Sequence, residues 1–148
     1  LKQEMLKDLR TILSEKKFFF EALVLYGSRA TGLALHSSDI DIAVFVKDSA
    51  TLKTRSEWTE KLELLFQPFQ EKLARHQISG EFSFNFIPLK IPNGNPPGLY
   101  YSLNKQGFPL WDPNRAFQKW NGAIARFMKS NSVKSRGAGK DKVWEWKN

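Results

Sequence analysis

Residues Asp39–Val46 read Asp-Ile-Asp-Ile-Ala-Val-Phe-Val. In a strand, successive side chains turn to opposite faces. Asp39 and Asp41 therefore share one face, and Ile40, Ile42 and Val44 share the other. Alone, the two acids could be a solvated strand edge. Held this close they repel each other unless a cation lies between them. Hard oxygen donors at this spacing suit Mg²⁺, which takes one or two carboxylates and completes its shell with substrate phosphates. Asp39 and Asp41 are thus the candidate metal ligands and catalytic acids.

What lies upstream sharpens that reading. Phe18–Tyr26 is aromatic and β-prone and predicts a buried strand, which runs directly into Gly27-Ser28. Glycine lets the backbone approach a phosphate closely and adopt positive φ. Backbone N–H groups and the Ser28 hydroxyl can then donate to phosphate oxygens. Arg29 follows at once, placed either to contact a triphosphate or to pair with a surface acid. Residues 27–38 hold no long apolar run and predict a loop or a short helix. His36 in that stretch reads as an exposed residue.

The rest of the chain predicts alternating elements. Leu1–Ser14 carries an apolar stripe at three- and four-residue spacing and predicts an amphipathic helix. Ser49–Arg75 predicts a helix or helix pair, broken or kinked near Gln67 by Pro68. Phe82, Phe84 and Phe86 at period two predict a third strand with a core-facing aromatic row. Pro88–Gly98 predicts an irregular loop, Leu99–Gly107 a short helix, and Phe108–Trp111 a short strand or turn. Asp112 as N-cap with Pro113 in the first turn predicts the start of a helix through Phe117, Trp120, Ile124, Phe127 and Met128. Ser130–Lys142 predicts a flexible Ser/Gly/Lys-rich segment. Trp144 and Trp146 near the end are either an anchor for a partner or a strand packing back on the domain.

The run Gly27-Ser28-Arg29-Ala30-Thr31-Gly32, ten residues after Ser28, then Asp39-Ile40-Asp41 resembles the minimal-nucleotidyltransferase branch of the superfamily built around the DNA polymerase β core. That branch is marked by Gly-Ser, ten residues and Asp-x-Asp. Gly107-Phe-Pro-Leu-Trp-Asp112 looks like the family's closing segment. The resemblance implies an α/β fold, a small mixed β-sheet flanked by helices. It implies transfer of a nucleoside monophosphate, AMP from ATP, to a hydroxyl acceptor with Mg²⁺ or Mn²⁺ held by Asp39 and Asp41. Gly27, Ser28 and Arg29 would bind the nucleoside triphosphate. Two metals can clamp the attacking and leaving oxygens of such a displacement. It further implies an antitoxin-like setting in which a partner toxin is modified. One departure stands out: the family's third acid falls on the Phe82–Ile87 strand, where the matching position is Asn85, with Glu81 as a substitute at the strand's edge.

At 148 residues and 17.1 kDa the chain has the size of one domain. We expect a nucleotidyltransferase domain over residues 1–130 and a basic tail over residues 131–148. There are no cysteines and two histidines, which excludes disulfides, thiol catalysis and thiolate or histidine-rich metal sites. No apolar run reaches membrane-spanning length and no signal peptide is visible, so the expected location is cytoplasmic, with no membrane partner. The net charge of +8 is uneven. Residues 76–148 carry 11 bases against 4 acids. This half is either a solvated basic face or a docking surface for a polyanion. The alternative function is therefore a weak or inactive nucleotidyltransferase-fold module that binds a partner protein or RNA through its basic half.

Overall fold

Period-two alternation along four short segments builds one sheet, and the faces of that sheet place everything else. The computed structural model describes residues 7–8, 11–13, 18–31, 39–78, 80–137 and 143–145. The strands are β1 (Ala22–Tyr26), β2 (Ile40–Val46), β3 (Phe82–Pro88) and β4 (Phe108–Trp111), in the order β3-β2-β1-β4. β1 runs antiparallel to both β2 and β4, and β2 runs parallel to β3. A parallel pair needs a long crossover, here supplied by helix α2 (Leu52–Arg75). The other helices are α1 (Ser28–Thr31), α3 (Gly98–Gln106) and α4 (Ala116–Ser130). This is the expected α/β class with a small mixed sheet.

Helices cover both faces, so β1 and β2 are almost continuously buried, as strands covered on both faces are. On one face Leu23, Leu25, Ile40, Ile42 and Val44 pack with Leu62, Phe66, Phe69 and Leu73 of α2. On the other, Val24, Ala43 and Phe45 pack with Tyr101 and Leu103 of α3 and Phe117, Trp120 and Ile124 of α4. Phe45 and Trp120 meet edge to face at 4.9 Å, the preferred aromatic arrangement. Phe82, Phe84 and Phe86 take the α2 side as expected, with Phe66 4.8 Å from Phe82 and Trp58 5.4 Å from Phe86. As members of the sheet's edge strand they stay half-buried.

Several boundaries differ from the sequence reading. The first strand begins at Ala22, not Phe18. Phe18 and Phe20 stack on each other at 4.9 Å, and Phe19 stacks on Trp58, so this aromatic run is a packed lead-in. Pro68 does not break α2, which continues from Leu52 to Arg75. Proline removes the bond to the carbonyl four residues back. That acceptor belongs to Leu64, which like Pro68 is exposed, so the unpaired carbonyl is not buried away from solvent. α4 starts at Ala116 rather than at Pro113. Asp112 still caps it from a distance: its carboxylate oxygens accept from the amides of Phe117 at 3.0 Å and Gln118 at 3.1 Å. Residues 7–8 and 11–13 are helical, and Leu13 is buried against the α2-side core.

Within the segment read as a basic tail, β5 (Lys134–Arg136) pairs antiparallel with β6 (Val143–Glu145). Trp144 packs on Tyr101 at 5.6 Å and donates from Nε1 to Ser102 Oγ at 3.1 Å. Of the two readings of the terminal tryptophans, Trp144 takes the one that packs back on the domain; Trp146 lies outside the described residues. Among the described residues, no helix is long and apolar enough to cross a membrane.

Candidate active site

β1 ends at Tyr26 and the chain turns at Gly27, whose φ of +72° is a conformation that L side chains avoid. The Gly27 carbonyl accepts from Ala30 N at 3.1 Å and so opens α1. A second constraint acts on the same residue. A Cβ at position 27 would collide with the carboxylate Oδ2 of Asp41. The glycine is there because backbone and acid touch.

The ladders decide what surrounds that contact. In the antiparallel β1–β2 pair Tyr26 lies opposite Asp41, and in the parallel β2–β3 pair Ser83 lies beside Asp41. Alternation then puts Tyr26, Asp39, Asp41, Ser83 and Asn85 on one face, at the end where β2 begins. Asp39 is exposed; Asp41 is half-buried. Burial pushes the Asp41 carboxyl above the usual carboxylate range, and the neighbouring charge of Asp39 pushes it the same way. Burial also raises the Tyr26 hydroxyl, and the charge of Asp41 adds to it. Asn85 Nδ2 donates to Tyr26 Oη, so the phenol is held between Asn85 and the acid opposite.

Both residues offered for the third-acid position can be placed on the sheet, and Asn85 shares the face of Asp39 and Asp41. Asn85 is level with Ala43, one pleat deeper than the acidic pair; the residue level with Asp41 is Ser83. Glu81 is not the substitute. Its carbonyl accepts from Ile40 N at 2.8 Å, while its exposed residue lines a shallow depression with Glu63 and Gln70, on the α2 side of the sheet. Among the described residues there is no cluster of three or more acidic, histidine or cysteine side chains that could hold a metal. The donor set is therefore two carboxylates flanked by neutral hydroxyl and amide groups. That set fits Mg²⁺ or Mn²⁺ whose remaining sites are filled by phosphates and water. A divalent cation there would offset both causes of the raised Asp41 carboxyl, the burial of its charge and the repulsion by Asp39.

The other predicted residues are placed unequally. Gly27, Asp39 and Asp41 come together. Arg29 sits in α1, two residues past Gly27, at 8% exposure. Ser28 opens α1, but its side chain and His36 lie outside the described residues. Sequence reasoning missed Tyr26 and Ser83. Period two would have put each on one face of its own strand; only the pairing register shows that both flank Asp41.

Comparison with known proteins bears on this geometry. The family described as polymerase beta nucleotidyltransferase matches residues 7–110. A relative from Methanocaldococcus jannaschii, named as a candidate protein adenylyltransferase, is 33% identical over 73 residues, covering 45% of this chain and 71% of its own. Two solved structures share the fold. One is a toxin–antitoxin complex with AMP-PNP, 19% identical, with a TM-score of 0.51 over 84% of this chain and 90% of its own. The other is a mutant MntA toxin–antitoxin complex, 16% identical, with the same TM-score and coverage.

Proposed function

Because the chain belongs to the polymerase beta nucleotidyltransferase family, we propose that it transfers AMP from ATP to a hydroxyl group on a partner protein. The observation that carries this is the Gly27–Asp41 contact. It brings the phosphate-approaching turn and the two carboxylates to one end of one sheet face. The acceptor oxygen would attack the α-phosphorus, the bond to the leaving pyrophosphate would break, and the hydroxyl proton would pass to solvent.

Asp39 and Asp41 would hold Mg²⁺ or Mn²⁺. A cation bound there offsets charge on the phosphates and makes the acceptor hydroxyl easier to deprotonate. The remaining work falls to the chain's own groups. Gly27 brings the turn's backbone up to the Asp41 carboxylate, and Ser28 and Arg29 would supply donors and positive charge to a phosphate bound there. Tyr26, held by Asn85 and level with Asp41, would border one side of the bound phosphates. The M. jannaschii relative supports a protein acceptor, and the toxin–antitoxin relatives support an antitoxin role in which the acceptor is a partner toxin.

Labelled AMP from ATP should appear on a protein captured with this chain from its native host, and only with divalent metal. Asp39→Asn with Asp41→Asn should abolish it. Label that persists in the double variant would place the chemistry elsewhere. The neutral ring of Tyr26, Ser83 and Asn85 favours a second reading, a nucleotide-binding module with slow turnover. In that case ATP and Mg²⁺ raise the melting temperature while no label is transferred.

A further inference from the structure

From Asp112 to Asp141 the chain contains no acidic residue between the two and seven basic ones. The fold gathers four of those onto the outer side of α4. At about 100° per residue, Lys119, Arg126 and Lys129 fall within about 80° of one another, along about 15 Å of helix. Arg115 stands at the head of the same stripe as the N-cap of α4, with φ of 57°. A non-glycine residue held there carries local strain. Gly122 lies mid-stripe. A Cβ added there would touch Arg126 Nη1 at 3.6 Å, so the guanidinium folds over the glycine.

Arg115, Gln118, Lys119, Gly122 and Arg126 line a groove of about 360 Å³. A second groove, of about 310 Å³, continues the charge between α3 and the end of α4, with Lys105, Lys129 and Lys134 on its walls. All these cations are exposed. Among the described residues, none of Arg115, Lys119, Arg126 and Lys129 has a carboxylate within ion-pair distance. Protein interfaces are anchored by aromatic and aliphatic side chains buried at the centre. The large exposed apolar residues here are Leu52, Leu64 and Val143, and none is on the stripe. A face of aligned cations without such an anchor matches a repeating phosphate backbone, read without regard to base sequence.

We propose that the basic stripe of α4 binds the phosphate backbone of nucleic acid, without stacking on its bases. The surface is separate from Asp39 and Asp41 and does not depend on the transfer reaction. The test is fluorescence anisotropy of a labelled oligouridylate with the full chain, titrated over about 50–200 mM salt. Four phosphate contacts should give a log–log salt slope of about −3. Combined Lys119→Gln, Arg126→Gln and Lys129→Gln should flatten the slope to about −1 and weaken binding about a hundredfold at 0.1 M salt, since each lost contact removes about 0.7 from the slope. Lys119→Arg with Lys129→Arg should keep both slope and affinity. Asp39→Asn with Asp41→Asn should bind at least as well as the parent. An unchanged slope in the glutamine triple variant, checked as folded by its melting curve, overturns the proposal. So does displacement of the oligouridylate by polyglutamate at equal charge, which would assign the stripe to an acidic protein.

Discussion

Gly27 is the residue on which the candidate site closes, because a methyl there meets the Asp41 carboxylate and its φ is positive. Gly27→Ala should therefore cost about 1–3 kcal/mol of stability. It should also shrink the rise in melting temperature that Mg²⁺ with ATP produces. A variant with parental stability and an unchanged ligand shift would show that the turn and the acid do not touch. Asp41 carries a second expectation. Its carboxyl titrates above the ordinary value, chiefly through burial. A raised acid favours the folded state when protonated; that stability is present below the unfolded pKa and is lost as pH rises through the folded one. The metal-free protein should lose more stability over that rise than Asp41→Asn does, and Mg²⁺ with ATP should narrow the gap. Thermal melts of both proteins across pH decide it, and parallel curves would count against the burial argument. Ser83 is level with Asp41 and neutral. Ser83→Asp should tighten Mn²⁺ binding, read by calorimetry, and raise transfer on the order of 10²-fold, the lower end of what a placed carboxylate contributes. Asn85→Asp and Glu81→Gln should do little. If Asn85→Asp gives the larger gain, the third carboxylate belongs one step further along β3 than the residue level with Asp41.

At the scale of elements, α2 and α4 behave differently from what their breakers and caps suggest. Pro68 lies inside an unbroken α2, with Leu64 at 71% exposure beneath the missing bond. The helix tolerates it because the exposed position leaves the orphaned carbonyl open to solvent, yet the bond is still absent. Pro68→Ala should stabilise the protein by about 2 kcal/mol, the proline penalty less the entropy that alanine returns to the unfolded chain. Chemical denaturation measures it; a loss on substitution would mean that the proline ring packs on something it should not. α4 holds the opposite face through Phe117 and Trp120 against Phe45. Its start at Ala116 shows a cap acting at longer range than a simple N-cap pattern assumes, since Asp112 reaches amides five and six residues on.

Across the whole molecule, the C-terminal hairpin is tied to the domain through Trp144, which covers the fully buried Tyr101. Removing residues 131–148 should lower the melting temperature by exposing Tyr101 and the end of α4, while the metal-dependent ATP shift survives, because Asp39 and Asp41 sit at the start of β2 and the hairpin packs on α3. Loss of both together would tie the hairpin to the site itself.

Local pattern alone determined the elements and the acidic pair. Alternation in Asp39–Val46 and in Phe82–Phe86 and helical spacing in Ser49–Arg75 are short-range properties, and each survives in the fold. What alternation cannot determine is which residues of different strands stand level. Shifting a parallel strand by two residues keeps every side chain on its face and changes every neighbour. That freedom is why neither Ser83 nor Tyr26 could be read as a neighbour of Asp41. Packing removed it: Phe82 and Phe84 against Phe66, and Ile87 in the core with Phe45, hold β3 in one register. The same holds for the basic half. Its charge was visible in composition, and the packing of Phe117, Trp120 and Ile124 on the sheet turned Lys119, Arg126 and Lys129 outward together.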